Sequence, residues 1–233
     1  MGHARDRQRY GLRQLLGQST AAEVVAEYII AINSPGSHID GSLQDRLKAL
    51  RACEKDVVAI VTGALSRVET NGFLVRQILV IVLSHLRSES ALPLFRTLVS
   101  APPPSEDDSR NVRGGEGPSV DSHAGTHRQE GEVCAYAAGR AQWLVERIIA
   151  VGGVEALAVR RGSAQAQAML FEFLRSPSLA IRDAAVQAIL AGPAADGAAR
   201  ARSILPDADH WLLRVRRVPV NSGLFDGDRL CQL

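Results

Sequence analysis

Two apolar stripes lie in tandem in the first half of this chain, and they restrict the fold more than any other feature. In residues 55–69, Val57, Ile60, Val61, Ala64, Leu65 and Val68 recur at one helical spacing. After Asn71-Gly72 the same spacing returns with Val75, Ile78, Leu79, Val82, Leu83 and Leu86. The i, i+3, i+4, i+7 pattern marks a helix that buries one face. The short Asn-Gly break is a turn signal, so the pair is expected to form antiparallel helices. Ala and Leu dominate while aromatics make up only 4% of residues, which suits close helix packing and disfavours a β-sandwich.

The same period runs through most of the chain. TAAEVVAEYIIAI at 20–32 opens with Thr20 and has Glu23 three residues on, a capping-box spacing. NSPGSHIDG at 33–41 breaks it, and Ser42 is placed to cap a helix running to about Cys53. A shorter helix is expected over 90–100, with Pro93 near its start. Residues 101–132 then lose the pattern. They are rich in Pro, Gly, Ser and acid, too polar to offset ordering by burial, and read as a long acidic disordered loop.

Periodicity resumes at 133, with Val133, Ala137, Ala141, Leu144, Val145 and Ile148 on one face and an expected end at Gly152-Gly153. Further helices are expected at 154–160, at 164–175 with Ala168, Phe171 and Leu174 inward, in the stretch 176–190 ahead of a stop at Gly192-Pro193, and at 195–205. A last helix is capped by Asp207, with Trp211, Val215 and Val218 inward. No strand is expected. The chain divides into N-terminal helical repeats at 1–100, the loop at 101–132, C-terminal repeats at 133–218 and an irregular tail at 219–233, the helices forming one continuous domain.

A repeat connects the two halves. Val75-Arg76 aligns with Ile181-Arg182, Ile78-Leu79 with Ala184-Ala185, and Val82-Leu83 with Ala188-Ile189, at an offset of 106 residues. Subtracting about thirty for the loop leaves two periods of about 38, near the length of helix-pair solenoids. SPSLAIRDAAVQAIL at 176–190 resembles the second helix of a HEAT repeat, including the HEAT-like repeats related to phycobilin lyases. A turn, an aliphatic-Arg pair, Ala-Ala and Ala-aliphatic-Leu follow in order, and LVRQILVIVLSHLRSESALPLFRTLV at 74–99 fits more loosely. The resemblance implies an all-α solenoid of antiparallel helix pairs. The family often places an Asp ahead of the Arg as a ladder; here those positions fall near Glu69 and Arg175.

Charge and residue chemistry restrict function less than fold. Residues 1–100 hold 12 Lys/Arg and 9 Asp/Glu, 133–233 hold the same, and 101–132 hold 3 and 7. Neither half is basic enough to announce nucleic-acid binding. Three scattered cysteines without CxxC point to a reducing compartment, no apolar signal region is seen, and the longest apolar run is too short for a membrane span. The expected location is cytoplasmic.

His123 and His127, with Asp121 and Cys134 nearby, have a zinc-like spacing, set against two histidines in a polar loop by chance. RGGEGPS at 113–119 lacks the Lys-Ser/Thr of a phosphate loop. His85 and Asp56 read as solvated or capping. Arg160, Arg161, Arg175, Arg200, Arg202, Arg214, Arg216 and Arg217 give the second half a basic tendency, a surface for an acidic partner if they converge and scattered solvated charges if they do not. Trp143 and Trp211 are the candidate aromatic contacts. The resulting expectation is a non-catalytic scaffold or adaptor that binds another protein, with no cofactor. The resemblance also admits a HEAT-like DNA-binding or base-excision enzyme, with Trp143, Glu146 and Arg147 as its suggestive trio, or a lyase-like tetrapyrrole-handling protein.

Overall fold

A computed structural model describes residues 2–34, 41–68, 72–103, 125–192 and 196–214. Within them every regular element is helical. The first half holds α1 (Gly2–Leu16), α2 (Thr20–Ile32), α3 (Ser42–Ala52), α4 (Glu54–Arg67), α5 (Phe73–Leu86), a 3-10 turn (Glu89–Ala91) and α6 (Leu92–Ser100). The second holds α7 (Gly125–Arg160), α8 (Ala164–Phe173), α9 (Leu179–Ala191), α10 (Gly197–Ile204) and a 3-10 segment (Asp207–Arg214). No helix among the described residues is long and apolar enough to cross a membrane.

The tandem stripes form α4 and α5 as their spacing requires. Val57, Val61, Ala64 and Leu65 are buried on α4. On α5, Leu79, Val82, Leu83 and Leu86 are buried, but so are Val80, Ser84 and His85. This helix is covered on more than one side because both α4 and α7 pack against it. From α3 onward, each α-helix packs mainly on those one or two places along the chain. At the N-terminal end α1 also meets α4, and α2 meets α5. One continuous apolar core runs from Leu16 to Leu212.

The helix ends depart from the expected ones where side chains and packing overrule local signals. Ser19, not Thr20, caps α2, its Oγ accepting from Ala22 N at 3.1 Å. Glu23 instead pairs with Arg13 of α1 at 2.7 Å. In the second half, α7 passes straight through Gly152-Gly153 and begins at Gly125, eight residues before the expected start; the 104–124 part of the expected loop lies outside the described residues. α7 stops at Gly162, whose φ of +66° supplies the left-handed turn into α8.

The buried face of α7 is also not the expected one. Ala141 and Val145 are exposed, whereas Glu146, Arg147, Ile149, Ala150, Val154 and Leu157 are buried; Val133 and Ala137 lie outside the described side chains. On α8, Ala168 is exposed, while Met169, Leu170, Phe171, Phe173 and Leu174 are buried. In the last segment Asp209 and Leu212 turn inward and Trp211 is 44% exposed; Val215 and Val218 lie outside the described residues.

His85 is not solvated. It is buried, and its Nδ1 lies 2.6 Å from the hydroxyl of fully buried Tyr28. This contact links α2 to α5 through two polar atoms in the core. Tyr28→Phe removes this bond from the core, so urea denaturation should show a loss of about 0.5–1.5 kcal/mol.

Candidate functional site

Arg76 and Arg182 each bind a carboxylate from a later element and at least one backbone carbonyl from the segment before their own helix. Arg76, in the first turn of α5, donates through Nε to Glu146 Oε2 at 2.9 Å and through Nη2 to Glu146 Oε1 at 2.8 Å. Its Nη1 reaches the carbonyls of Leu65 and Val68, at the end of α4, at 3.1 and 3.3 Å. Arg182, in the first turn of α9, donates through Nε to Asp209 Oδ2 at 2.7 Å and through Nη1 to Ser176 O at 2.6 Å, just beyond α8. Arg76 thus satisfies carbonyls at the end of α4, Arg182 bonds one in the turn after α8, and each holds a carboxylate from a later element. The acids are not at the expected ladder positions: Glu69 lies outside the described residues, and Arg175 is an exposed arginine. Glu146 and Asp209, from later elements, supply the charge instead.

Exposed apolar side chains flank both pairs. Leu74 and Val75 adjoin Arg76, and Val145 adjoins Glu146; these three are 74%, 40% and 44% exposed. Leu179 lies one turn before Arg182, and Trp211 lies two residues after Asp209; they are 46% and 44% exposed.

Trp143, Glu146 and Arg147 do come together on α7, but in a structural arrangement. Both Glu146 oxygens are held by Arg76. The Arg147 guanidinium stacks 4.1 Å from the Trp143 ring centroid, and the indole Nε1 donates to Pro102 O at 2.9 Å. Burial lowers the Arg147 pKa to about 10, against the opposing pull of Glu146 and with help from the like charge of Arg76. Arg147 therefore remains charged at neutral pH. Arg76 thus holds the trio's acid, Pro102 accepts from its indole donor, and Arg147 covers one face of its ring.

The remaining candidates separate into two groups at opposite ends of α9, whose thirteen residues span about 20 Å. Arg175 and Arg214 lie near its start, with Trp211. Arg160, Arg161 and Arg200 lie near its finish, and Arg202 is exposed one turn further on. Arg216, Arg217 and His123 lie outside the described residues, as does the side chain of His127. Among the described residues, no three His, Cys, Asp or Glu side chains gather as a metal site.

Sequence reasoning missed an apolar cleft at the finish of α9. Ala158, Leu170, Phe171, Ala188, Ile189 and Gly192 line it from α7, α8 and α9. The Arg200 guanidinium of α10 stacks 4.1 Å from the Phe171 ring centroid at its margin. The sequence gives no signal for this, because four separate segments build it.

Glu155, one turn before Val159 on α7, has its carboxyl pKa raised by burial against the opposing attraction of Arg160. A carboxyl with a raised folded-state pKa favours folding in its protonated form, so its ionisation subtracts stability as pH rises above the ordinary 4.5. Glu155→Gln should therefore raise the melting temperature at neutral pH, with the gain vanishing in acid below that value. Paired thermal melts at the two pH values check this.

No protein-family model matches this chain, and no curated protein or solved structure matches it.

Proposed function

We propose that this chain is a non-catalytic scaffold of the HEAT-like solenoid type, binding another protein along the edge that carries its two arginine–carboxylate pairs. The packing of successive helices on near neighbours supports the solenoid reading, since stacked helix pairs contact only adjacent units. The corresponding bonds of Arg76 and Arg182 support the repeat register.

One observation carries the binding reading. Large apolar side chains stay exposed beside both pairs: Leu74, Val75 and Val145 at one, Leu179 and Trp211 at the other. Single exposed apolar residues are ordinary, but grouping beside equivalent structural positions suits a partner that spans two repeats. Trp is also over-represented among the residues that dominate binding energy.

The test is site-specific photo-crosslinking in the native cell. Photoreactive residues at 74, 179 and 211 are expected to capture the same protein, whereas one at exposed Gln165 on α8 is not. Equal capture at all four positions, or none at the first three, overturns the reading.

A further inference from the structure

Arg200 differs from the arginines that hold the fold together. Arg76, Arg96 and Arg182 each pair with a carboxylate. Arg200 is exposed and has no ion pair among the described residues, yet its guanidinium is fixed in place over Phe171. Stacking occupies one face of the planar group and leaves the edge N–H donors outward, which is the geometry that takes a carboxylate two bonds at a time.

The Phe171 ring beneath it is part of the apolar cleft, so a cationic fork stands directly beside an apolar hole. Asp196, one turn before Arg200, forms no ion pair with it among the described residues, and the other nearby acids have basic neighbours of their own. Glu172 is held by Arg96 at 3.0 Å, and Glu155 faces Arg160. Arg161, exposed at the end of α7, adds further positive charge close to Val159.

We propose that this cleft docks an acidic segment of a partner protein: one apolar side chain enters between α7, α8 and α9, and an adjacent carboxylate pairs with Arg200. The lining is almost wholly apolar, which suits an apolar anchoring side chain. The site is a recess between helix ends, which suits a protruding side chain better than a flat bilayer. The proposal rests on the reading that the chain binds a protein, but it concerns a different surface from the edge beside Trp211.

The test pans a displayed library of short random peptides against the full chain and three variants. Arg200→Glu reverses the charge at an exposed position. Val159→Trp fills the cleft from its rim, with circular dichroism confirming that it folds. Trp211→Ala alters only the edge. Enriched peptides are expected to carry Asp or Glu next to Leu, Ile or Phe. Their affinity should fall roughly tenfold or more on Arg200→Glu and on Val159→Trp, as for loss of a charge-assisted pair. It should stay unchanged on Trp211→Ala.

Peptides without acids, or peptides that bind Arg200→Glu equally well, overturn the proposal. Binding of phosphatidylserine vesicles with no peptide enrichment assigns the surface to membranes and overturns it too. So does a change of oligomeric state in Arg200→Glu with no peptide enrichment, which makes the occupant a second copy. If no peptide is enriched while crosslinking at 179 and 211 persists, the cleft proposal falls and the scaffold reading stands.

Discussion

Glu146→Ala is expected to destabilise the fold by about 3–5 kcal/mol, the cost of removing one member of a buried ion pair. The Glu146 side chain is 3% exposed and that of Arg76 is 16% exposed. Arg147 is buried on the other side of the same carboxylate. Removing the acid leaves two guanidinium groups close together with no counter-charge. A domain stable by about 5–15 kcal/mol would lose a large fraction of that margin. Guanidinium chloride unfolding should show a lower midpoint with an unchanged slope.

Arg76→Met combined with Glu146→Leu should recover part of the loss, since the Arg76 charge is gone and only Arg147 is left without its counter-charge. If the double variant is as unstable as Glu146→Ala alone, the pair does not act through charge. Asp209→Ala should cost less than Glu146→Ala, because the Arg182–Asp209 pair has a single carboxylate bond and no second buried arginine behind it.

Adjacent glycines on α7 are expected to respond in opposite directions. A Cβ on Gly153 would lie 2.7 Å from Phe95 Cζ and 2.7 Å from Ser84 Oγ. Phe95 is fully buried, and Ser84 is held by the Val80 and Ile149 carbonyls at 2.9 and 3.3 Å, so neither yields easily. Gly153→Val should cost about 3 kcal/mol by overpacking. A Cβ on Gly152 meets nothing within 4 Å. Gly152→Ala should therefore add about 0.5–1 kcal/mol by removing glycine's backbone entropy from a helix interior. Thermal melts of the two variants read the opposite signs directly. A stabilised Gly153→Val would mean that α5, α6 and α7 are not in such close contact.

These glycines show why the expected break at 152–153 did not form. Read locally, Gly-Gly ends a helix. In the fold, Gly153 is the point where α7 passes closest to Phe95, and absence of a side chain is the requirement there. Glu146 and Arg147 give the same lesson about faces. An apolar stripe through Leu144, Val145 and Ile148 is the natural choice from sequence, because charges are counted as outward. Arg76, seventy residues away, makes the charged face the buried one. The inward turn of Asp209 and the exposure of Trp211 follow from Arg182 in the same way.

The sequence by itself determined the helical class and the position of most helices. Those properties depend on periodicity, turn residues and local propensity, which act over a few neighbouring positions. Only the tertiary structure decided which face of α7 is buried, which carboxylates close the two arginines, and that Phe171 and Arg200 stand together at an apolar cleft. Those outcomes depend on pairings between residues distant in the chain, whose energies no local pattern encodes.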